Sequence, residues 1–126
     1  MLNCAAAFIG GGLGALTRYL TGIAAKKIFV VMHLPYDTLF VNAFGSLILG
    51  VCIIFFASRP NLNPAVKTLL TVGFCGGLTT FSTFSSECLS FLTNGNFNKF
   101  SAYIVLSLVI SMFFAYSGVQ IAKRIF

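Results

Sequence analysis

Between Gly73 and Glu87 the chain reads Gly-Phe-Cys-Gly-Gly-Leu-Thr-Thr-Phe-Ser-Thr-Phe-Ser-Ser-Glu, so that glycines, hydroxyls and two phenyl rings stand where an apolar helix would carry leucine and isoleucine. Hydroxyls donate hydrogen bonds, and a phenyl ring has a positive edge, so this set can hold an anion without a fixed charge. Glycines let a helix open, and the carbonyls freed there suit a hard cation. The plainer reading is a kinked packing helix whose hydroxyls bond back to its own backbone. Phe81 and Phe84 lie three apart and share a helical face, although in a chain with 15 phenylalanines two such rings can also simply face lipid or core.

Polar residues recur in two other apolar stretches. Asn42, Ser46 and Gly50 fall on one helical face, and so do Tyr103, Ser107 and Ser111. With Ser82 and Thr83 they can form a line of donors, or they can be hydrogen-bonded glue between helices. Arg18 interrupts the first apolar stretch. It either snorkels toward the Lys26-Lys27 end or stands at the mouth of a polar path.

Nothing resembles a catalytic centre, and no enzyme is expected. The lone His33 lies in a loop, and the two acids, Asp37 and Glu87, fall in different segments. Cys4, Cys52, Cys75 and Cys88 have no zinc-ligand spacing and read as small packing residues. Gly10–Ala15 fits the dinucleotide pattern G-x-G-x-x-A, but no βαβ unit fits around it. Gly10 and Gly14 read better as a G-x-x-x-G packing pair.

These residues must be positioned by helices in lipid. Only 8% of the 126 residues are charged and 58% are hydrophobic, too few charges to coat a domain in water. The expected class is an all-α membrane protein of one domain, 1–126, crossing the bilayer four times, at about 4–25, 38–57, 66–92 and 100–122. The third span is interrupted near mid-membrane, at the Gly76-Gly77 pair. Turn and charge signals separate the spans at Lys26-Lys27 through Leu34-Pro35, at Arg59 to Pro64, and at Asn94-Gly95-Asn96. The first apolar run has no basic stretch before it and is long enough to span, so it does not read as a cleavable signal. The net charge of +6 comes from basic residues near span ends, a pattern of headgroup anchoring; no nucleic-acid partner is expected.

The loop charges set almost no orientation. Arg59, Lys67, Lys123 and Arg124 fall on one side and Lys26, Lys27 and Lys99 on the other. A chain so balanced can insert both ways and pair with its own inverted copy.

The chain resembles the Fluc (CrcB) family of fluoride channels, through Gly-Gly-Leu-Gly-Ala-Leu-Thr-Arg (11–18), Thr-Leu-Phe-Val-Asn-Ala-Phe-Gly (38–45) and the 73–87 segment. The resemblance covers the whole chain. It implies an antiparallel dual-topology homodimer in the bacterial inner membrane, with two fluoride pores and one structural sodium ion at its centre. It implies passive conduction that exports fluoride and lowers its cytoplasmic level. By motif position, Asn42 corresponds to the pore asparagine, Phe81 and Phe84 to an aromatic box, and Ser82, Thr83, Tyr103, Ser107 and Ser111 to a polar track. Arg18, Thr38 and Glu87 correspond to vestibule residues, and the Gly76 and Thr79 carbonyls to sodium ligands. A small multidrug exporter is a poorer fit, since the first span holds Arg18 and no acid. A non-transporting assembly subunit would give no flux in liposomes.

The charge balance yields a test. A single cysteine placed in the Lys26–Pro35 loop, in a background without native cysteines, should be labelled from both sides of the membrane. Labelling from one side alone would remove dual insertion.

Overall fold

The computed structural model describes residues 1–28 and 34–126, in which every regular element is helical. Helix α1 spans Leu2–Ile28 and α2 spans Tyr36–Ala57. A third leg is built in pieces: α3 (Pro64–Thr68), a π-helical turn (Leu69–Cys75), α4 (Gly76–Leu78) and, after a break, α5 (Phe81–Thr93). The last helix, α6, spans Phe97–Ile125. By length and apolarity, Tyr36–Ala57 and Phe97–Ile125 suffice to cross a membrane, with mean hydropathy 2.4 and 2.0. His33 and most of the loop expected after Lys27 lie outside the described residues.

Local signals set the helix ends. Asn63 caps α3, its side chain accepting from the Ala65 amide at 2.9 Å, with Pro64 in the first turn where a missing N–H costs nothing. At the other end of the leg Gly95 takes φ +71°. Its amide bonds Leu92 O at 3.0 Å and the Asn96 amide bonds Phe91 O at 2.8 Å, a Schellman closure that turns the chain into α6.

Packing runs in two pairs. The pieces from Pro64 to Leu78 lie along α1, and α2 lies along α6. Both pairs are closed by interlocked glycines. A Cβ on Gly10 or Gly14 would strike the backbone of the third leg, and one on Gly77 would come within 2.5 Å of Gly11 O. Gly50 and Gly118 stand in the same relation across α2 and α6. In lipid there is little hydrophobic force between helices, so close backbone approach supplies the association. The packing reading of Gly10 and Gly14 is the one the structure takes.

The interior is made of small residues and the outside of large ones. Ala6, Ala43, Ala65, Ala122 and three cysteines are buried, while Phe8, Phe81, Val72, Met112 and Phe113 stand largely exposed. Tyr103 and Leu78 are the largest fully buried side chains. This is inside out for a protein in water and natural for one whose surroundings are apolar.

The break does not fall where the glycines predict. Gly76 keeps helical angles (φ −65°, ψ −36°), and the chain leaves the helix at Thr79 (ψ 155°) and Thr80 (φ −146°, ψ 120°). Gly77 is used for close approach to α1, whereas β-branched threonines accept extended backbone readily.

The glycine contacts predict a graded series. Gly14→Val and Gly118→Val should each destabilise the protein by about 1–3 kcal/mol or prevent assembly, as overpacking does. Gly12→Ala, where an added Cβ meets nothing within 4 Å, should be neutral. Thermal unfolding in detergent checks both.

Candidate functional site

Four elements converge on the break. Thr79 and Thr80 have left the helix, so their peptide groups need partners that the helix no longer provides. From α2, Asn42 accepts from the Thr80 amide at 2.7 Å and donates to the Thr80 carbonyl at 3.2 Å. From α1, Arg18 donates to the Thr79 carbonyl at 3.3 Å. Arg18 is therefore turned into the protein rather than snorkelling. The Thr80 hydroxyl accepts from the Thr83 amide at 3.2 Å, capping α5, and donates to the Thr83 hydroxyl at 2.9 Å.

The break sets two helix ends back to back. The helical run ending at Leu78 presents carbonyls, its negative end, and α5 begins at its positive end, where the Thr80 hydroxyl caps the Thr83 amide. The first end suits a cation and the second an anion.

On one side of the break lies a cleft of about 400 Å³. It gathers Asn42, Phe81, Phe84, Ser107 and Ser111 with Gly76 and Thr79, and adds Ser46, Thr71 and Cys75. Phe81 and Phe84 sit with ring centroids 5.8 Å apart, tilted by 40°, and Phe81 is 80% exposed. The Ser107 hydroxyl is buried here and is the one such side-chain group among the described residues without a hydrogen-bond partner.

On the other side a pocket of about 290 Å³ gathers Arg18, Thr38, Thr80, Thr83 and Asp37. Thr83 thus opens toward Arg18 rather than toward Asn42. Ser82 is exposed and lines neither space.

Tyr103 and Glu87 form a third group with Thr38. The Tyr103 hydroxyl donates to Glu87 Oε2 at 2.6 Å and the Thr38 hydroxyl to Oε1 at 2.8 Å. Tyr103 is fully buried, with Phe84 and Phe91 rings 5.2 and 5.9 Å from its own. The structure thus joins a residue read as track, Tyr103, to two read as vestibule, Thr38 and Glu87.

A sodium ion held by Gly76 and Thr79 carbonyls fits the local chemistry. The amide that would bond the Gly76 carbonyl in a continuous helix, that of Thr80, goes to Asn42. The Thr79 carbonyl has a second lone pair beyond the one facing Arg18. Backbone oxygens suit a hard cation. No group of three or more His, Cys, Asp or Glu that could hold a metal occurs among the described residues.

Sequence reasoning missed Thr80, which is 6% exposed and borders both spaces. Its signal was its place as a hydroxyl three residues before Thr83, the spacing of a helix cap.

The profile of the CrcB-like protein family, Camphor Resistance (CrcB), matches residues 5–119. A Bacteroides fragilis protein named fluoride-specific ion channel FluC is 41% identical over 119 residues, covering 93% of each chain. Nitrobacter hamburgensis FluC 1, of the same description, is 41% identical over 114 residues and 90% of each chain. The Serratia proteamaculans FluC is 44% identical over 107 residues, 85% of this chain and 83% of its own.

The carboxylate cluster gives a prediction. Tyr103→Phe removes one donor from Glu87 without changing the packing volume. It should cost about 1–3 kcal/mol, the scale of leaving a buried polar group without its partner, measured by unfolding in detergent.

Proposed function

The chain belongs to the CrcB-like protein family, and on that premise we propose that it is a fluoride-selective passive channel, with the cleft beside Asn42 as part of the anion path. The family is one of ion channels and not of enzymes, and the chain is a helical membrane protein. The observation that carries the reading is that Ser107, whose buried hydroxyl has no hydrogen-bond partner, lines the same cleft as Asn42, Phe81 and Phe84.

Fluoride is small, strongly hydrated and an acceptor. A pore must replace its water with donors and positive partial charge, and must let it leave again. Asn42 Nδ2 has two N–H groups and spends one on Thr80 O. The other is free for an ion in the cleft. Ser107 and Ser111 extend the donors along α6, and phenyl edges add weak positive charge without binding too tightly. Arg18 and Thr38 line the pocket beyond the break together with Asp37, so a cationic and an anionic side chain share its mouth. Chloride is larger and gains less from closely spaced donors.

The finer architecture is part of the proposal. The chain crosses the inner membrane four times, at α1, α2, the broken third leg and α6. It pairs with an inverted copy, and the two breaks then meet across the two-fold axis. Two carbonyls from each chain, of Gly76 and Thr79, hold one structural sodium ion there. Balanced loop charges, the open Gly76 face and the many exposed apolar side chains support this arrangement. Sodium when bound supplies positive potential near the anion paths. The gradient and membrane potential set the direction of flux, and export follows when the cytoplasm is loaded.

Purified protein in liposomes containing both anions should release fluoride and retain chloride; comparable rates would overturn the selectivity. Asn42→Asp should abolish fluoride release, because a carboxylate puts repelling oxygens where donors stood. Phe84→Ile should slow release by about tenfold or more, the rate equivalent of losing about 1.4 kcal/mol. Near-normal efflux in both would remove these residues from the path.

A further inference from the structure

In a continuous helix the Thr80 amide would bond the Gly76 carbonyl. One residue earlier that register still holds, since the Thr79 amide bonds Cys75 O at 3.0 Å. At Thr80 it is lost. The residue is extended, so its N–H and C=O point the same way, as in a strand. The Asn42 carboxamide meets both at once, at 2.7 and 3.2 Å, in the manner of a neighbouring strand residue. The Gly76 carbonyl is thereby deprived of its helical donor, and Gly76 borders the same cleft as Asn42.

We propose that Asn42 is a positioning residue for the cation as well as a donor to the anion, because its hold on Thr80 is what keeps the Gly76 carbonyl open. This rests on the reading of a channel with a central sodium ion.

The physical reason is the cost of an orphaned amide. Thr80 is 6% exposed, so its N–H needs a partner inside the protein. If Asn42 lets go, the nearest remedy is to rewind one residue and return the N–H to Gly76 O, which takes a lone pair from the cation site. Cation binding and the clasped rotamer of Asn42 therefore favour each other. The clasped rotamer fixes where the second Asn42 N–H points, so the anion is drawn into the same linkage. By reciprocity, fluoride should tighten sodium and sodium should tighten fluoride.

The measurement is sodium-dependent stability of the purified dimer in detergent. Sodium is titrated against N-methylglucamine at constant ionic strength, and the unfolding midpoint gives the half-saturating concentration. Asn42→Ala should need roughly tenfold more sodium than wild type, the scale of one backbone hydrogen bond. Asn42→Asp keeps an acceptor for the Thr80 amide. It should bind sodium as tightly as wild type or more so, although it does not conduct. Fluoride should lower the half-saturating sodium concentration in wild type and leave it unchanged in Asn42→Ala. Where Asn42→Ala does not assemble, Asn42→Ser, too short to reach Thr80, replaces it with the same expectation. Equal sodium dependence in wild type and Asn42→Ala (or Asn42→Ser) would overturn the coupling while leaving the anion path intact. A wild type indifferent to sodium would overturn the coupling and the sodium site together. The anion path is judged separately by efflux of fluoride over chloride.

Discussion

A peptide group in lipid that loses its helical partner must find another within the protein, because no water is there to take its place. At Thr79 and Thr80 this requirement organises the molecule. Asn42 answers for both peptide groups of Thr80, Arg18 for the Thr79 carbonyl, and the Thr80 hydroxyl for the first turn of α5. Arg18 and Asn42 come from α1 and α2, so the break is stabilised when three legs are assembled. The polar side chains proposed to serve the anion thus also hold the break together.

The glycine contacts make that assembly possible. Gly10 and Gly14 against the third leg, and Gly50 against Gly118, bring backbones close enough for short side chains to reach across. Gly45, on α2 beside Asn42, has no room for a Cβ against the Thr79 side chain, and α2 comes close to the break there. Small residues inside also leave large ones outside, in apolar surroundings. The break shifts the third leg from one partner to another, from α1 before Thr79 to α6 after it.

Much of this was legible in the sequence and some was not. The apolar stretches, the Asn94-Gly95-Asn96 turn and the G-x-x-x-G packing follow from local pattern, and the structure contains them. The position of the break does not follow from local pattern. Glycine in a helix has two uses, opening the backbone or letting another helix approach. Gly77 serves the second, which only the neighbour Gly11 reveals. Thr80 escaped notice because its partner lies 38 residues away, and Arg18 reaches its carbonyl across 61. Tyr103 and Ser107 were visible as a stripe, but nothing in the stripe says that one is tied to Glu87 and the other is left with a free hydroxyl.

The π-helical turn from Leu69 to Cys75 has a consequence for how this leg tolerates change in length. Such a turn is an α-helix carrying a surplus residue, and each residue of an α-helix accounts for about 100° of rotation. The turn therefore takes up that residue while the stretches on both sides of it stay seated on α1. Deleting a residue between Leu69 and Cys75 would let the coil tighten to ordinary pitch. Gly76 and all that follows would keep their facing, because one residue fewer at the tighter pitch turns through about the same total angle. A one-residue change in length is absorbed here, whereas the same change in an ordinary stretch of the leg would turn everything beyond it by about 100° away from the cleft.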